Sequence, residues 1–310
     1  MHASTGRIHL FGFSEVEAGA GESRCRGSAP RSMEGTVRFG VYVPTFGEYD
    51  VSTLAALARE AEAAGWDGFF IWDHLAWTPD GSRVLADTTV ALTAIALATE
   101  RVRFGALVTP LARRRPWKLA KETATLDRLS GGRLVVGVGL GARGDTFPFG
   151  EGRPPTELAR ILDEGLELLT SLWSGHPVSH EGEHFHVDGA LLRPTPLQRP
   201  RIPIWVAGFW PNRPPFRRAA RFDGALPLAG GHLLKDLSPG ELRRCRDYIA
   251  EHRRSREPFD LVAFAVAQSR TPETIVEYAQ AGATWWVEAV DPLAESLADF
   301  RARIAQGPTR

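Results

Sequence analysis

The sequence predicts an α/β fold, a single (β/α)8 TIM barrel with an insertion after the fourth strand. Three observations predict it. Eight short apolar runs alternate with eight helical patterns along the chain. The runs are nearly continuously apolar, which is typical of parallel strands covered on the outside by crossover helices. Eight such units are the number that closes a barrel, and a doubly wound open sheet is the alternative.

Each apolar run is rich in Val, Ile and aromatic residues and is bounded by Gly, Pro or Asp, as strands commonly are. The strands are predicted at 37–43, 68–72, 102–108, 133–139, 202–208, 224–228, 261–267 and 284–290. The helices are predicted at 52–65, 87–98, 116–132, 154–175, 213–221, 239–253, 272–281 and 292–305. Ser52 is the expected N-cap of the first helix, and Gly131 and Gly132 are the expected stop of the third.

The barrel domain is expected to cover residues 36–310. The segment at about 175–200 interrupts the alternation of strands and helices, so it is the predicted insertion. Residues 1–35 are rich in Gly, Ser and Ala without sustained periodicity, and we expect a disordered or non-native N-terminal extension there. Met33 would then be the initiator.

Composition excludes several classes of protein. Lys plus Arg and Asp plus Glu number 37 each, so the balance of charge does not suggest nucleic acid or an acidic membrane as a partner. Cys25 and Cys245 lie far apart without the spacing of metal ligands, which excludes a disulfide-stapled secreted scaffold and favours a reducing cytoplasm. We therefore expect a cytoplasmic enzyme or binding protein with a small-molecule ligand.

The run LVVGVGLGARG at 134–144 contains the spacing G-x-G-x-x-G. A dinucleotide site needs a helix to begin at these glycines, but the chain continues DTFPFGEGRPP, in which prolines and glycines prevent one. Gly139 and Gly141 instead fall at the end of the fourth strand. There they would let a flat ligand approach the backbone, and relief of crowding inside the barrel is the alternative.

The segment His180 to His184 matches H-E-x-x-H letter for letter. Zinc binding by that motif requires a helix, because only there do the two histidines share one face. The alternation of residues around a central Glu-Gly pair predicts a surface β-hairpin with partly exposed histidines instead. We therefore expect no metal site.

Polar residues follow three strands at the end where barrel active sites form. Asp73 and His74 follow the second strand and could bind a ligand or exchange protons. Thr109 follows the third strand, ahead of three arginines at 113–115, and the segment 207–210 follows the fifth strand with backbone N–H groups suited to a phosphate. The alternatives are Asp73 as a helix cap, a solvated His74 and a solvated arginine loop.

These residues resemble the luciferase-like family of flavin-dependent oxidoreductases, which includes bacterial luciferase and enzymes that use coenzyme F-420. The resemblance covers roughly residues 36–300. Its most specific part is VTPLARRRPWKLAKETATLDRLSGGRLVVGVGLG at 108–141, with support from WDH at 72–74 and from the segment 202–224.

The resemblance implies a barrel that holds coenzyme F-420 or FMN at the carboxyl ends of its strands. It implies that Asp73 and His74 are catalytic, beside the coenzyme ring, and that a non-prolyl cis peptide joins Ala106 to Leu107. The implied coenzyme-binding set is Ala106, Leu107, Thr109, Gly139, Leu140, Gly141, Ala207, Gly208, Phe209 and Trp210. Sugar-phosphate dehydrogenases of the family carry a glutamate at the position of Leu140, so the resemblance does not extend to that reaction.

The expected function is hydride transfer between a flavin-type coenzyme and a small organic substrate in a homodimer. The Asp-His pair favours F-420 over FMN. One alternative is an FMN-dependent monooxygenase that receives reduced flavin from a partner reductase. A second alternative is a barrel that binds a flavin without turnover.

Overall fold

The computed structural model describes residues 37–76, 84–229, 236–265, 271–291 and 295–309, and the predicted extension lies outside them. Nine parallel strands form one sheet: β1 Arg38–Val43, β2 Gly68–Ile71, β3 Arg103–Ala106, β4 Thr109–Pro110, β5 Val136–Gly139, β8 Ile204–Trp210, β9 Gly224–Ala229, β10 Asp260–Ala265 and β11 Trp285–Ala289. An antiparallel hairpin consists of β6 Val178–Glu181 and β7 His186–Ala190.

The nine strands correspond to the eight predicted ones, because β3 lies in the third predicted strand and β4 continues it directly beyond its predicted end. Their order is β3-β2-β1-β11-β10-β9-β8-β5-β4. A parallel bridge between Phe104 and Leu134 and a hydrogen bond from Val135 N to Phe104 O, 2.9 Å, join β3 to the residues that lead into β5 and so close the barrel. The predicted barrel is confirmed, and the insertion after the fourth strand is the predicted hairpin.

Helices follow the strands on the outside. They are α1 Val51–Ala63, α2 Thr88–Ala98, α3 Pro116–Leu129, α4 Pro155–Trp173, α5 Arg213–Ala219, α6 Pro239–His252, α7 Pro272–Gln280 and α8 Leu297–Gln306. Asp50 rather than Ser52 caps α1, since Asp50 Oδ1 accepts from Thr53 N at 2.7 Å and Ser52 Oγ donates to the same oxygen. Gly131 and Gly132 end α3 with φ of +69° and +86°, as the double-glycine stop predicted. Within the described ranges, no helix is long and apolar enough to cross a membrane.

The third strand breaks at a non-prolyl cis peptide between Leu107 and Val108. The resemblance placed this bond between Ala106 and Leu107, which is wrong by one residue. The reason is that the ladder with β2 continues through Leu107, whose N–H donates to Ile71 O at 3.0 Å. Only after Leu107 does the chain leave β2, and β4 then pairs with β5 at Thr109 and Val138.

Two apolar layers hold the barrel together. The larger fills the space between strands and helices, and the smaller fills the barrel interior with Phe70, Trp205 and Trp285, whose rings lie 5.4 to 5.7 Å apart. The three rings lie toward the amino end of the strands, where Gly224 leaves room for the Trp205 indole. The amino end is therefore closed by packed aromatic side chains.

Candidate active site

Inward-facing side chains at the carboxyl end of the barrel, which we call the mouth, remain partly exposed, unlike those deeper in the interior. This layer consists of Tyr42, Val108, Ala207 and Leu228. Most of its side chains are small or aliphatic, so together they present a shallow apolar floor. Such a floor at the carboxyl ends of barrel strands is the usual place for a ligand.

Tyr42 forms the aromatic edge of this floor. Its ring stacks on Trp72 at 5.6 Å and meets Phe264 edge-on at 5.1 Å, while its hydroxyl donates to the carbonyl of Leu107. Burial raises the pKa of the Tyr42 phenol above its usual range, and the carboxylate of Asp73 raises it further. The phenol therefore stays protonated at neutral pH and fixes the backbone of the strand-three break.

Asp73 follows β2 and lies behind the floor rather than on it. Its side chain is 2% exposed and accepts hydrogen bonds from Arg113 Nη2 at 2.9 Å, Arg114 Nη2 at 2.7 Å and Thr88 Oγ1 at 3.1 Å. This differs from the expectation that Asp73 faces a coenzyme or His74. The arginines at 113 and 114 are not a solvated loop either, because a buried carboxylate must be paired.

The carboxylate beside His74 is Asp145, in a short 3-10 turn at Arg143–Asp145 after β5. His74 Nδ1 lies 2.6 Å from Asp145 Oδ2, and Oδ1 accepts from the N–H groups of Leu75 at 2.9 Å and Ala76 at 2.8 Å. Burial alone would raise the pKa of Asp145, but hydrogen bonds from His74 and from these N–H groups outweigh it and hold the pKa below its usual range. Asp145 is therefore ionised at neutral pH and accepts a hydrogen bond from the Nδ1–H of His74.

Arg113 links the two carboxylates. Its Nη2 donates to Asp73, and its Nη1 lies 3.4 Å from Asp145 Oδ2. We call Asp73, His74, Arg113, Arg114 and Asp145 the mouth cluster. Sequence reasoning missed Asp145, which is 71 residues from His74. Its position just after the fourth strand, on the rim where the other polar residues converge, was the signal that could have found it.

The glycines after the fourth strand contact protein atoms rather than open space. A Cβ at Gly139 would lie 2.6 Å from Val108 Cγ2, and one at Gly141 would lie 2.6 Å from Pro110 Cβ. Gly141 also has φ of +81°, which side-chain-bearing residues rarely adopt. The alternative reading, relief of crowding, therefore accounts for these glycines in the structure.

The predicted phosphate segment lies in the sheet. β8 runs to Trp210, two residues past its predicted end, and pairs with β9 as far as Trp210 and Ala229. Trp210 is buried against Phe216 at 5.4 Å, which keeps the strand extended. Ala207 and Gly208 are partly buried and Phe209 is 38% exposed, so this segment borders the mouth but lies within the strand, whereas it was predicted to follow the strand.

The remaining predicted residues lie in or next to the third strand, except Leu140, which follows the fourth. Ala106 faces the helices and Leu107 faces the barrel interior, both buried. Thr109 is buried between β5 and the loop that carries Arg113, whereas Leu140 is partly exposed. The structure thus brings His74 and Ala207 to the mouth, places Leu140 against the outer core, and buries Asp73, Ala106 and Thr109.

The His-Glu-Gly-Glu-His segment forms the turn of the predicted hairpin. His180 is buried rather than partly exposed, because its Nε2 lies 2.9 Å from Glu164 Oε1 on α4. Glu164 also accepts from the N–H groups of His184 at 3.0 Å and Phe185 at 2.9 Å, so it fastens the turn to the helix. His186 is 65% exposed. No group of three or more candidate metal ligands occurs in the described part of the chain.

Comparison with solved structures finds the same fold. The coenzyme F-420-dependent tetrahydromethanopterin reductase from Methanopyrus kandleri superposes with a TM-score of 0.69 at 18% identity, over 87% of this chain and 96% of that one. EDTA monooxygenase from Chelativorans sp. BNC1 gives a TM-score of 0.69 at 15% identity, over 87% and 92%. At these identities the likeness shows the fold.

Sequence comparison gives closer relatives. An F-420-dependent glucose-6-phosphate dehydrogenase from Nakamurella multipartita is 36% identical over 198 residues, which are 63% of this chain and 57% of that protein. A protein of Mycobacterium tuberculosis is 32% identical over 224 residues, 67% of this chain and 73% of that protein. The chain thus spans little more than half the length of the named dehydrogenase.

The sequence profile described as luciferase-like monooxygenase matches residues 37–307, which is nearly all of the barrel. The match contains every strand and helix described above. The chain belongs to the luciferase-like monooxygenase family.

Proposed function

We propose that this protein transfers a hydride between coenzyme F-420 and a small organic substrate. The observation that carries the proposal is the His74–Asp145 pair at the mouth, where an ionised, buried carboxylate holds an imidazole beside a partly exposed apolar floor. Relatives whose names include F-420-dependent glucose-6-phosphate dehydrogenase support this choice of coenzyme.

The mouth fits a flat coenzyme ring. Its floor combines the Tyr42 ring, which stacks on the buried Trp72 indole, with the small Ala207, and the floor side chains stay partly exposed while those deeper in the interior are buried. A planar ring would cover these side chains and remove apolar surface from water. When bound, the coenzyme would supply the hydride chemistry, and the protein would supply orientation and proton transfer.

His74 is the proposed proton donor or acceptor. Asp145 accepts a hydrogen bond from Nδ1–H, which fixes the orientation of the ring, and Nε2 is the atom we propose to exchange a proton with substrate. Oxidation of an alcohol releases a proton along with the hydride, and Nε2 would take it. Positioned acid–base catalysis of this kind contributes about 10²- to 10⁴-fold to a rate.

Asp73 acts in this proposal by holding Arg113 and Arg114 in place. Leu140 argues against a sugar-phosphate substrate, since its aliphatic side chain is at the position where sugar-phosphate dehydrogenases of the family carry a glutamate. Proton transfer in this protein would therefore depend on His74, and glucose 6-phosphate is not the expected substrate. The other members of the proposed coenzyme-binding set border the ring or support its floor.

The test is titration of the purified protein with F-420 and with FMN, followed by fluorescence, and then reduction of F-420 by a panel of secondary alcohols and by glucose 6-phosphate. We expect F-420 to bind more tightly. His74→Gln should keep binding but lose about 10²- to 10⁴-fold in rate. His186→Gln, on the exposed face of the hairpin, is the matched control and should leave the rate unchanged.

The alternative is an FMN-dependent monooxygenase, which the family profile and the monooxygenase neighbours favour. Tight FMN binding with oxygen consumption on addition of reduced FMN would select it over the F-420 reaction. Binding of a coenzyme with turnover that is indifferent to His74→Gln would contradict the role proposed for the His74–Asp145 pair.

A further inference from the structure

A second concave feature lies on the same rim, outside the barrel interior. It is a cleft of about 240 Å³ between the loop after β4, the loop after β5, helix α4 and the hairpin turn. Four arginines line it, namely Arg113, Arg114, Arg115 and Arg153, together with His184 and a single carboxylate, Glu151. We call this feature the arginine cleft.

Three residues that line the cleft each carry a buried nitrogen atom without a hydrogen-bond partner in the part of the chain that the structure describes. Arg113 Nη1, Arg114 Nε and His184 Nε2 have no hydrogen-bond partner among the described residues. The Arg113 side chain is only 8% exposed, and its Nη1 remains 3.4 Å from Asp145 without forming a hydrogen bond. His184 Nε2 is 3.9 Å from the nearest Glu183 oxygen.

Such atoms require an explanation. Guanidinium groups do not lose their protons in proteins, so the two arginine nitrogens are obligatory donors. A buried donor without an acceptor is costly, and in native structures nearly all such groups have a partner. Asp73 and Asp145 accept hydrogen bonds from other atoms of Arg113, Arg114 and His74, and neither carboxylate forms a hydrogen bond with Arg113 Nη1 or Arg114 Nε.

The cleft also has an apolar lining. Leu158 and Ile161 of α4 line it with Leu140 and with Phe185 from the hairpin. A ligand that matches this lining has oxygen acceptors for the arginines at one end and an apolar body that contacts the aliphatic and aromatic side chains. Carboxylates and phosphates match the forked donors of arginine best.

We propose that the arginine cleft is a binding subsite for an oxyanion, the carboxylate or phosphate of a small organic molecule with an apolar portion. Arg113 lines the cleft and also contacts Asp73 and Asp145 of the mouth cluster, so an anion held here would belong to a molecule that extends from the mouth. That molecule is either the substrate or the coenzyme, an assignment that rests on the proposed function, whereas the subsite itself does not.

The experiment measures binding of hexanoate and hexyl phosphate to the full chain by isothermal titration, with hexanol as the uncharged probe. We expect saturable binding of one or both anions and none of hexanol. Leu158→Glu places a carboxylate in the cleft and should weaken anion binding at least about tenfold, whereas the isosteric, uncharged Leu158→Gln should retain it. Melting curves of both variants report whether the fold is intact.

A charge-matched pair gives a second readout. Arg115 is exposed and lines the cleft, whereas Lys118 is 70% exposed, pairs with Glu122 and lies outside it. Arg115→Gln should weaken anion binding about two- to fivefold and Lys118→Gln should not change it. No saturable binding of either anion, or equal binding to wild type and Leu158→Glu, overturns the proposal.

Repeating the titration with coenzyme-loaded protein identifies the source of the anion. If F-420 or FMN displaces hexyl phosphate and itself binds more weakly to Leu158→Glu, the anion belongs to the coenzyme. If the probe still binds the loaded protein, the anion belongs to the substrate. Anion binding without binding of either coenzyme would leave the subsite standing and contradict the proposed function.

Discussion

The two ends of the barrel are built from the same strands but differ in how their interior side chains are packed and exposed. At the amino end, Trp205 and Trp285 fill the interior, and Asp260 accepts hydrogen bonds from the Trp205 indole at 3.2 Å and from Arg38. At the mouth, side chains of the interior layer stay partly exposed, and three buried nitrogen atoms on the rim lack acceptors. The interior is filled by packed aromatic side chains at the amino end, whereas at the mouth its apolar side chains are left partly exposed.

This difference follows from what each end must do. Packed aromatic rings bury much apolar surface and stabilise the barrel. A site must instead keep polar groups available, which costs stability. Substitutions at the two ends should therefore separate stability from binding.

The largest effect is expected at the amino end. Trp205→Ala should lower the free energy of unfolding by about 3–5 kcal/mol, because it leaves a cavity between the rings of Phe70 and Trp285. Leu228→Ala at the mouth should cost only about 1 kcal/mol, since that side chain is already partly exposed, but it should weaken coenzyme binding. Urea unfolding and coenzyme titration of the two variants measure these effects. Equal losses of stability in Trp205→Ala and Leu228→Ala would contradict the difference between the two ends.

Gly224 gives the next largest effect, also at the amino end. A Cβ there would press on the Trp205 indole and lie 2.8 Å from Asp260 O, so Gly224→Ala should cost about 1–3 kcal/mol through overpacking. Trp205→Leu should recover part of this loss in the double variant, because it removes the ring that the new methyl group meets. Additive losses in urea unfolding would show that the indole is not the obstacle.

Gly141 at the mouth is expected to matter for another reason. Its positive φ and the nearby Pro110 disfavour any side chain, so Gly141→Val should cost about 1–2 kcal/mol even without ligand. Gly150→Val is the control, because Gly150 has φ of +70° but nothing within 4 Å of a Cβ. A smaller loss of stability for Gly150→Val would show that the contact with Pro110 adds to the cost at Gly141. If Gly141→Val instead has unchanged stability but binds coenzyme poorly, Gly141 contacts the ligand, as the sequence first suggested.

The smallest effect concerns pH. The pKa of Asp145 is lower in the folded protein than its unfolded value of about 3.9, so its contribution to stability is present above that value and is lost as pH falls through the folded pKa. Asp145→Asn should therefore be less stable than wild type at pH 7, and the gap should close in acid. Thermal melts across this range test it, and a gap that is constant with pH would contradict the ionised state of Asp145.

Much of the fold followed from local patterns. The eight apolar runs, the Gly131–Gly132 stop and the hairpin around His180 to His184 were all correctly predicted, because each depends on residues close in the chain. The predicted N-cap failed at Ser52 because Asp50, two residues earlier, presents a better acceptor to Thr53 N. The site was harder to predict, since its parts come from separate loops.

The sequence by itself determined the barrel, the rim on which polar residues gather, and the presence of Asp73 and His74 on it, because periodicity and strand ends can be read locally. Only the tertiary structure decided that Asp145 holds His74 while Arg113 and Arg114 bury Asp73. Closing the barrel brings together loops about 40 to 70 residues apart. Which carboxylate meets which cation then depends on burial and on the geometry of that closure, neither of which is encoded in the spacing of residues along the chain.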